Sequence, residues 1–217
     1  LRCFGACDTT FRLPDATGDV VLGPLPPYRF PPMPGVIYRE INTRYLADGI
    51  DQLLQAEPGL FPAGCIVDVR SPQETGKTHW FARETARMLQ AQPHKAQVAP
   101  NHRCALVRDL SRRMVFAPYD ADGDDANSAQ QLATTYDSLH KVPIVGLDGR
   151  MRPFSLLILD EVSQALRHMV GGTLKHRSPA CLAHSQAIAA NTDWILAGDA
   201  DADAETVAGL QLLYPGR

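Results

Sequence analysis

A chain of 217 residues with 45% hydrophobic and 21% charged side chains has the composition of an ordinary soluble globular protein with a substantial core. No apolar run approaches the roughly 20 residues that a membrane-spanning helix needs, so the sequence gives a membrane role no support. A net charge of −3 provides no overall basic footprint, and any nucleic-acid contact has to come from a local face.

The chain opens at Leu1 and shows no signal-peptide pattern, which reads as a piece of a longer cytoplasmic protein. Its five cysteines (Cys3, Cys7, Cys65, Cys104, Cys181) are odd in number and mostly far apart, a pattern of reduced thiols rather than of a disulfide framework. Cys3 and Cys7 would be half of a metal site, but no second pair or nearby histidine completes it. Residues 1–35 hold seven prolines (Pro14, Pro24, Pro26, Pro27, Pro31, Pro32, Pro34). Proline fixes φ and removes a backbone donor, so this stretch reads as extended linker or surface wrap. From Val36 to Ala56, the residues Ile41, Tyr45, Leu46, Ile50, Leu53 and Leu54 fall near a three-to-four spacing and predict a helix. Pro58, Gly59, Pro62 and Gly64 end it.

Strand and helix then alternate. Cys65–Val69 reads as a buried strand, followed by a glycine-containing turn and a helix from Lys77 to Gln90. Ala96–Ala99 reads as a short strand and Ala105–Met114 as a helix. Residues 120–127 form an acidic loop whose glycine comes too early for a calcium loop, with no closing glutamate. Gln131–Thr135 is a further strand, Phe154–Leu159 a central one, Val162–Val170 a helix and Asp193–Ala197 a final strand. Near-continuous apolar strands interleaved with helices predict an α/β fold, a parallel sheet with helices on both faces. Residues 36–217 make up that domain.

The segment Ser71-Pro-Gln-Glu-Thr-Gly-Lys-Thr78 follows a strand and opens a helix, the setting that a phosphate-binding P-loop requires. Backbone amides from Glu74 through Thr75 and Gly76 to Lys77 would point inward at a phosphate, helped by the positive end of the helix. Gly76 permits close approach of backbone to phosphate. Lys77 would reach the β- and γ-phosphates of ATP, and the Thr78 hydroxyl would ligate Mg²⁺. Ser71 stands where the motif has its first glycine. The competing account is a surface turn that happens to contain Gly-Lys-Thr.

A P-loop also needs a carboxylate on a neighbouring strand to organise the metal. Leu156-Leu-Ile-Leu-Asp-Glu161 ends an apolar strand in two acids: Asp160 would hold Mg²⁺ through water, and Glu161 would polarise the attacking water as general base. Acids at a helix N-terminus are the alternative. Asp199 and Asp201 follow the last strand, where a group sensing the γ-phosphate would stand, or a solvated turn. Asn101-His102-Arg103 and Thr134–Lys141 come at strand ends, with cations and hydroxyls suited to nucleic-acid phosphates. Gln164 and His168, one helical turn apart after the acids, read as a helix surface facing the same cleft.

In order, Ser-Pro-x-x-Thr-Gly-Lys-Thr, Asn-His-Arg, Asp-Ser-Leu-His-Lys, Leu-Asp-Glu-Val-x-Gln and Leu-Ala-Gly-Asp-Ala-Asp form a set. Over residues 60–205 it resembles the helicase segment of cyanobacterial-type plasmid replication proteins. More distantly it resembles herpesvirus origin-binding proteins of helicase superfamily 2. The resemblance implies a RecA-like first motor domain in which Lys77, Thr78, Asp160 and Glu161 bind and hydrolyse Mg-ATP. It implies that Arg103, Thr135 and Ser138 lie on the path of one strand of single-stranded or partly duplex DNA. It also implies a second motor lobe with an arginine finger, and a primase or origin-binding domain elsewhere in the full protein. Two other functions fit the same motifs: a packaging or restriction motor that moves DNA without unwinding it, and a nucleotide-binding module that does not hydrolyse.

Overall fold

The computed structural model describes residues 33, 35–37, 39, 45–71, 75–118, 129–146, 148–170, 178–200 and 202–217. The Pro-rich stretch up to residue 32, Cys3 and Cys7, and the acidic loop 120–127 lie outside them.

Among the described residues six parallel strands carry the fold: β1 (Ile66–Arg70), β2 (Ala96–Asn101), β3 (Ala117–Pro118), β4 (Gln131–Thr135), β5 (Phe154–Asp160) and β6 (Thr192–Asp199), in the order β1-β6-β5-β2-β4-β3. The helices are α1 (Leu46–Ala56), α2 (Lys77–Ala91), α3 (Cys104–Met114), α4 (Val162–Val170), α5 (Ser178–Ala190) and α6 (Ala204–Leu213), and a 3₁₀ turn spans Tyr136–Lys141.

Side chains alternate across a strand, so β5 feeds two cores. Leu156 and Ile158 pack with Ile50, Trp80, Phe81, Val107 and Leu110 beneath α1, α2 and α3. Phe154, Leu157 and Leu159 pack with Leu139, Met169, Ile188, Leu210 and Tyr214 beneath the 3₁₀ turn, α4, α5 and α6. Burial on both faces is why the strand reads as an unbroken apolar run. The chain runs outward from β1 to β2 through α2 on one face. It returns from β5 to β6 through α4 and α5 on the other, as right-handed crossovers demand. Every strand therefore points its carboxyl end to the same edge, where open α/β sheets bind ligands.

Several elements differ from the sequence expectation. The first helix starts at Leu46, not Val36. Gly35 adopts φ +73 in a turn closed by the Val36 amide on the Met33 carbonyl, and Ile37 is exposed rather than part of a buried stripe. Helices α5 and α6 were not foreseen. Their small and apolar residues are spread around the whole helix, so neither shows the one-sided stripe that betrays a helix in sequence. The two-residue β3 and the 3₁₀ turn are too short to carry any period.

Candidate nucleotide site

Strand β1 delivers the chain to Ser71, whose amide donates to the Asp199 carbonyl at the end of β6 (3.1 Å). Pro72, Gln73 and Glu74 lie outside the described residues, so the expected amide of Glu74 is not among the observed features. Beyond them, the Thr75 hydroxyl donates to the Ser71 hydroxyl (2.8 Å), closing the loop on itself. The first amide of α1, at Leu46, donates to the Thr75 carbonyl (3.1 Å) and holds the loop from its other side. Gly76 has φ +86, a left-handed conformation open to glycine at little cost. It caps α2, so Lys77 and Thr78 stand in the first turn, where amides lack helical partners and the helix end is positive.

Lys77 is 8% exposed, and its Nζ donates to the Ser71 carbonyl at 2.5 Å. Its stem runs over Gly198 of β6. A Cβ built on Gly198 would stand 3.5 Å from Lys77 Cδ and 2.7 Å from Phe81 Cζ, so only glycine lets α2 settle this close. Asp160 pairs in register with that glycine, which places it one strand over from the surface beneath Lys77. Burial pushes the Asp160 carboxyl above its ordinary range, and the Lys77 ammonium draws it back down. Lysine and aspartate thus share one face of the sheet edge.

Glu161 has φ +55, a left-handed strand-to-helix corner that costs a side chain about 1–2 kcal/mol. The corner is followed at once by α4, and Gln164 Nε2 donates to Glu161 Oε2 (3.3 Å). Asp199, 1% exposed, accepts from the Ser163 amide (2.8 Å) and from the Ser163 hydroxyl. Its carboxylate is therefore engaged with the first turn of α4. Asp201 lies outside the described residues. Ser163 and Gly198 were not singled out in sequence, although both lie inside segments that were. A lone glycine in an apolar strand was the available signal for Gly198.

The residues expected to meet nucleic acid gather further along the same edge. Strands β2 and β4 end in register at Asn101 and Thr135. Arg103 is exposed at the start of α3, Ser138 is half-buried in the 3₁₀ turn, and Thr135 is only 5% exposed. Three rings meet near them: His168 of α4 lies 6.3 Å from the His102 ring and 6.4 Å from the Tyr136 ring, centroid to centroid.

An all-parallel sheet in this order, with a glycine-lysine-threonine turn after β1 and an acid pair after β5, defines a RecA-like P-loop NTPase fold. The chain is similar to the Sulfolobus solfataricus SWI2/SNF2 ATPase core in complex with dsDNA, at 12% identity and a TM-score of 0.50, over 82% of this chain and 38% of that one. It is also similar to S. cerevisiae Dbp5 bound to RNA and ADP BeF3, at 16% identity and a TM-score of 0.50, over 76% of this chain and 42% of that one. The chain spans less than half the length of either. Likeness at such identity establishes the fold, while function has to be argued from the site. No protein-family model and no curated protein matches the sequence.

Proposed function

We propose that the chain is the ATP-binding and ATP-hydrolysing first motor domain of a DNA helicase or replication protein of a plasmid or similar element. In this reading residues 36–217 form the motor lobe behind a Pro-rich segment, and a second lobe belongs to the full protein. The observation that carries it is the approach of Lys77 and Asp160 across Gly198 at the sheet edge. The neighbours add support: one is an ATPase core in complex with dsDNA, the other is bound to RNA and ADP BeF3.

The residues fit Mg-ATP by the chemistry of their donors. A hydroxyl and a carboxylate are the hard oxygen ligands that magnesium takes, and Gly198 leaves room for the lysine that faces them. Thr78 and Asp160 would hold the ion, which when bound neutralises charge building on the phosphates. Lys77 exchanges the Ser71 carbonyl for phosphate oxygens. The amides of Glu74, Thr75, Gly76 and Lys77 would be offered to the same group. Glu161, set beside Asp160 by its left-handed corner, takes the proton of the attacking water. Asp199 senses the γ-phosphate through its hold on Ser163 and the start of α4. Arg103, Thr135 and Ser138 contact the DNA backbone.

Titration of the chain with Mg-ATP by calorimetry tests the site. Lys77→Ala abolishes binding if the assignment is right, and an unchanged affinity overturns it. Translocation along intact duplex is the second reading, supported by the double-stranded DNA on the Sulfolobus core. Strand displacement on a forked duplex by the full protein separates the two.

A further inference from the structure

Helix α4 is held at both ends by carboxylates from elsewhere in the fold. At its start, Asp199 of β6 grips Ser163. Towards its end, Asp137 of the 3₁₀ turn meets His168, Oδ2 to Nε2 at 3.3 Å. A carboxylate only accepts, so this imidazole nitrogen carries the hydrogen. Between the two lies Gln164, which donates to Glu161. Gln164 and His168 are four residues apart, which aligns them along one side of the helix, and Gln164 reaches back to Glu161 at the corner before it.

The two carboxylates come from opposite ends of the proposed reaction. Asp199 belongs to the strand beneath Lys77. Asp137 is the immediate neighbour of Ser138, in the same turn that Thr135 opens. The ring of His102, next to Arg103, lies 6.3 Å from that of His168. A nine-residue helix is about 13 Å long, and its continuous backbone links the two contacts.

The Asp137 side chain is 43% exposed and that of His168 14%. A pair of this kind adds little to folding stability. Its orientation is specific none the less, because it ties the turn to the helix that follows Glu161 directly.

We propose that His168 is a positioning residue that couples the nucleic-acid edge to the acid pair, by holding Asp137 on one side and, through α4 and Gln164, Glu161 on the other. This rests on the reading of Glu161 as general base and of Ser138 as a backbone contact. Coupling of this sort is reciprocal: nucleotide alters the affinity for DNA by the factor by which DNA alters the affinity for nucleotide.

The test is the affinity for a fluorescent single-stranded oligonucleotide, read by anisotropy with and without a magnesium-bound, non-hydrolysable ATP analogue. The wild-type chain shows a ratio of about five-fold or more between the two conditions. In His168→Leu the ratio falls to one, while calorimetry finds the affinity for the analogue alone unchanged. His168→Gln keeps a donor for Asp137 and keeps the ratio. Asp137→Ala, at a part-exposed position, repeats the loss should His168→Leu fail to fold. A ratio that survives both His168→Leu and Asp137→Ala overturns the proposal, as does a wild-type ratio of one with both ligands bound. Wild-type protein that binds no analogue at all brings down the parent reading instead.

Discussion

Asp68 shows at single-residue resolution what a crowded sheet edge costs. It sits in β1 between Val67 and Val69, and those two pack beneath α1 and α2, so alternation turns Asp68 to the opposite face. Its Oδ1 finds no hydrogen-bond partner among the described residues. Burial, followed by the charge of Asp199, pushes its carboxyl up to about 6. In the unfolded chain the same group ionises near ~4. As pH rises from about 4 to 6 the unfolded state releases the proton first, so stability falls through this window and stays reduced above it. Asp68→Asn cannot ionise and fills the same space. Thermal melts at pH 8 should show the variant more stable by about 1–3 kcal/mol, with the gain fading towards pH 4. A variant equally or less stable at pH 8 would contradict the buried-charge account.

Among the elements, α6 is the one whose start is most fully specified. The Asp203 carboxylate accepts from the Thr206 amide (2.8 Å) and hydroxyl (2.9 Å), and the Thr206 hydroxyl accepts in return from the Asp203 amide (3.3 Å). The amide bond, above all, holds the Asp203 carboxyl below its ordinary range. This reciprocal cap matters because α6 closes the second core through Leu210 and Leu213. Asp203→Ala should cost about 1 kcal/mol in urea denaturation at pH 7, with Asp203→Asn close to wild type. The difference should narrow as the pH drops through the depressed carboxyl value, where the native state loses its charge advantage. An unaltered urea midpoint for Asp203→Ala would remove the cap from the account of α6. The cap residue is one of three alternating aspartates (Asp199, Asp201, Asp203) and stands three residues before a threonine, so the sequence did not single it out, and the even spread of apolar residues behind it hid the helix. Helix α2, by contrast, was legible almost to the residue, because a P-loop has to be followed by a helix.

For the molecule as a whole, a net charge of −3 means that long-range attraction cannot bring it to a polyanion. On the proposed function, DNA meets the carboxyl edge of the sheet, where Arg103 is exposed. Each cation that meets a phosphate adds about 0.7 to the salt slope of single-strand binding. Arg103→Ala should therefore weaken binding to all sequences alike and flatten the plot of log affinity against log salt by about that amount. A parallel plot would take Arg103 off the DNA path. The chain by itself determined the parts of this protein that depend on neighbouring residues. A glycine-capped turn into a helix needs its glycine just before Lys77, and a strand buried on both faces needs an apolar run before its acids. Only the tertiary structure decided the rest: the order of the strands, the glycine of β6 beneath Lys77, the grip of Asp199 on Ser163 and of Asp137 on His168. Those contacts join side chains far apart along the chain, and they form only once two helical layers have packed against one sheet.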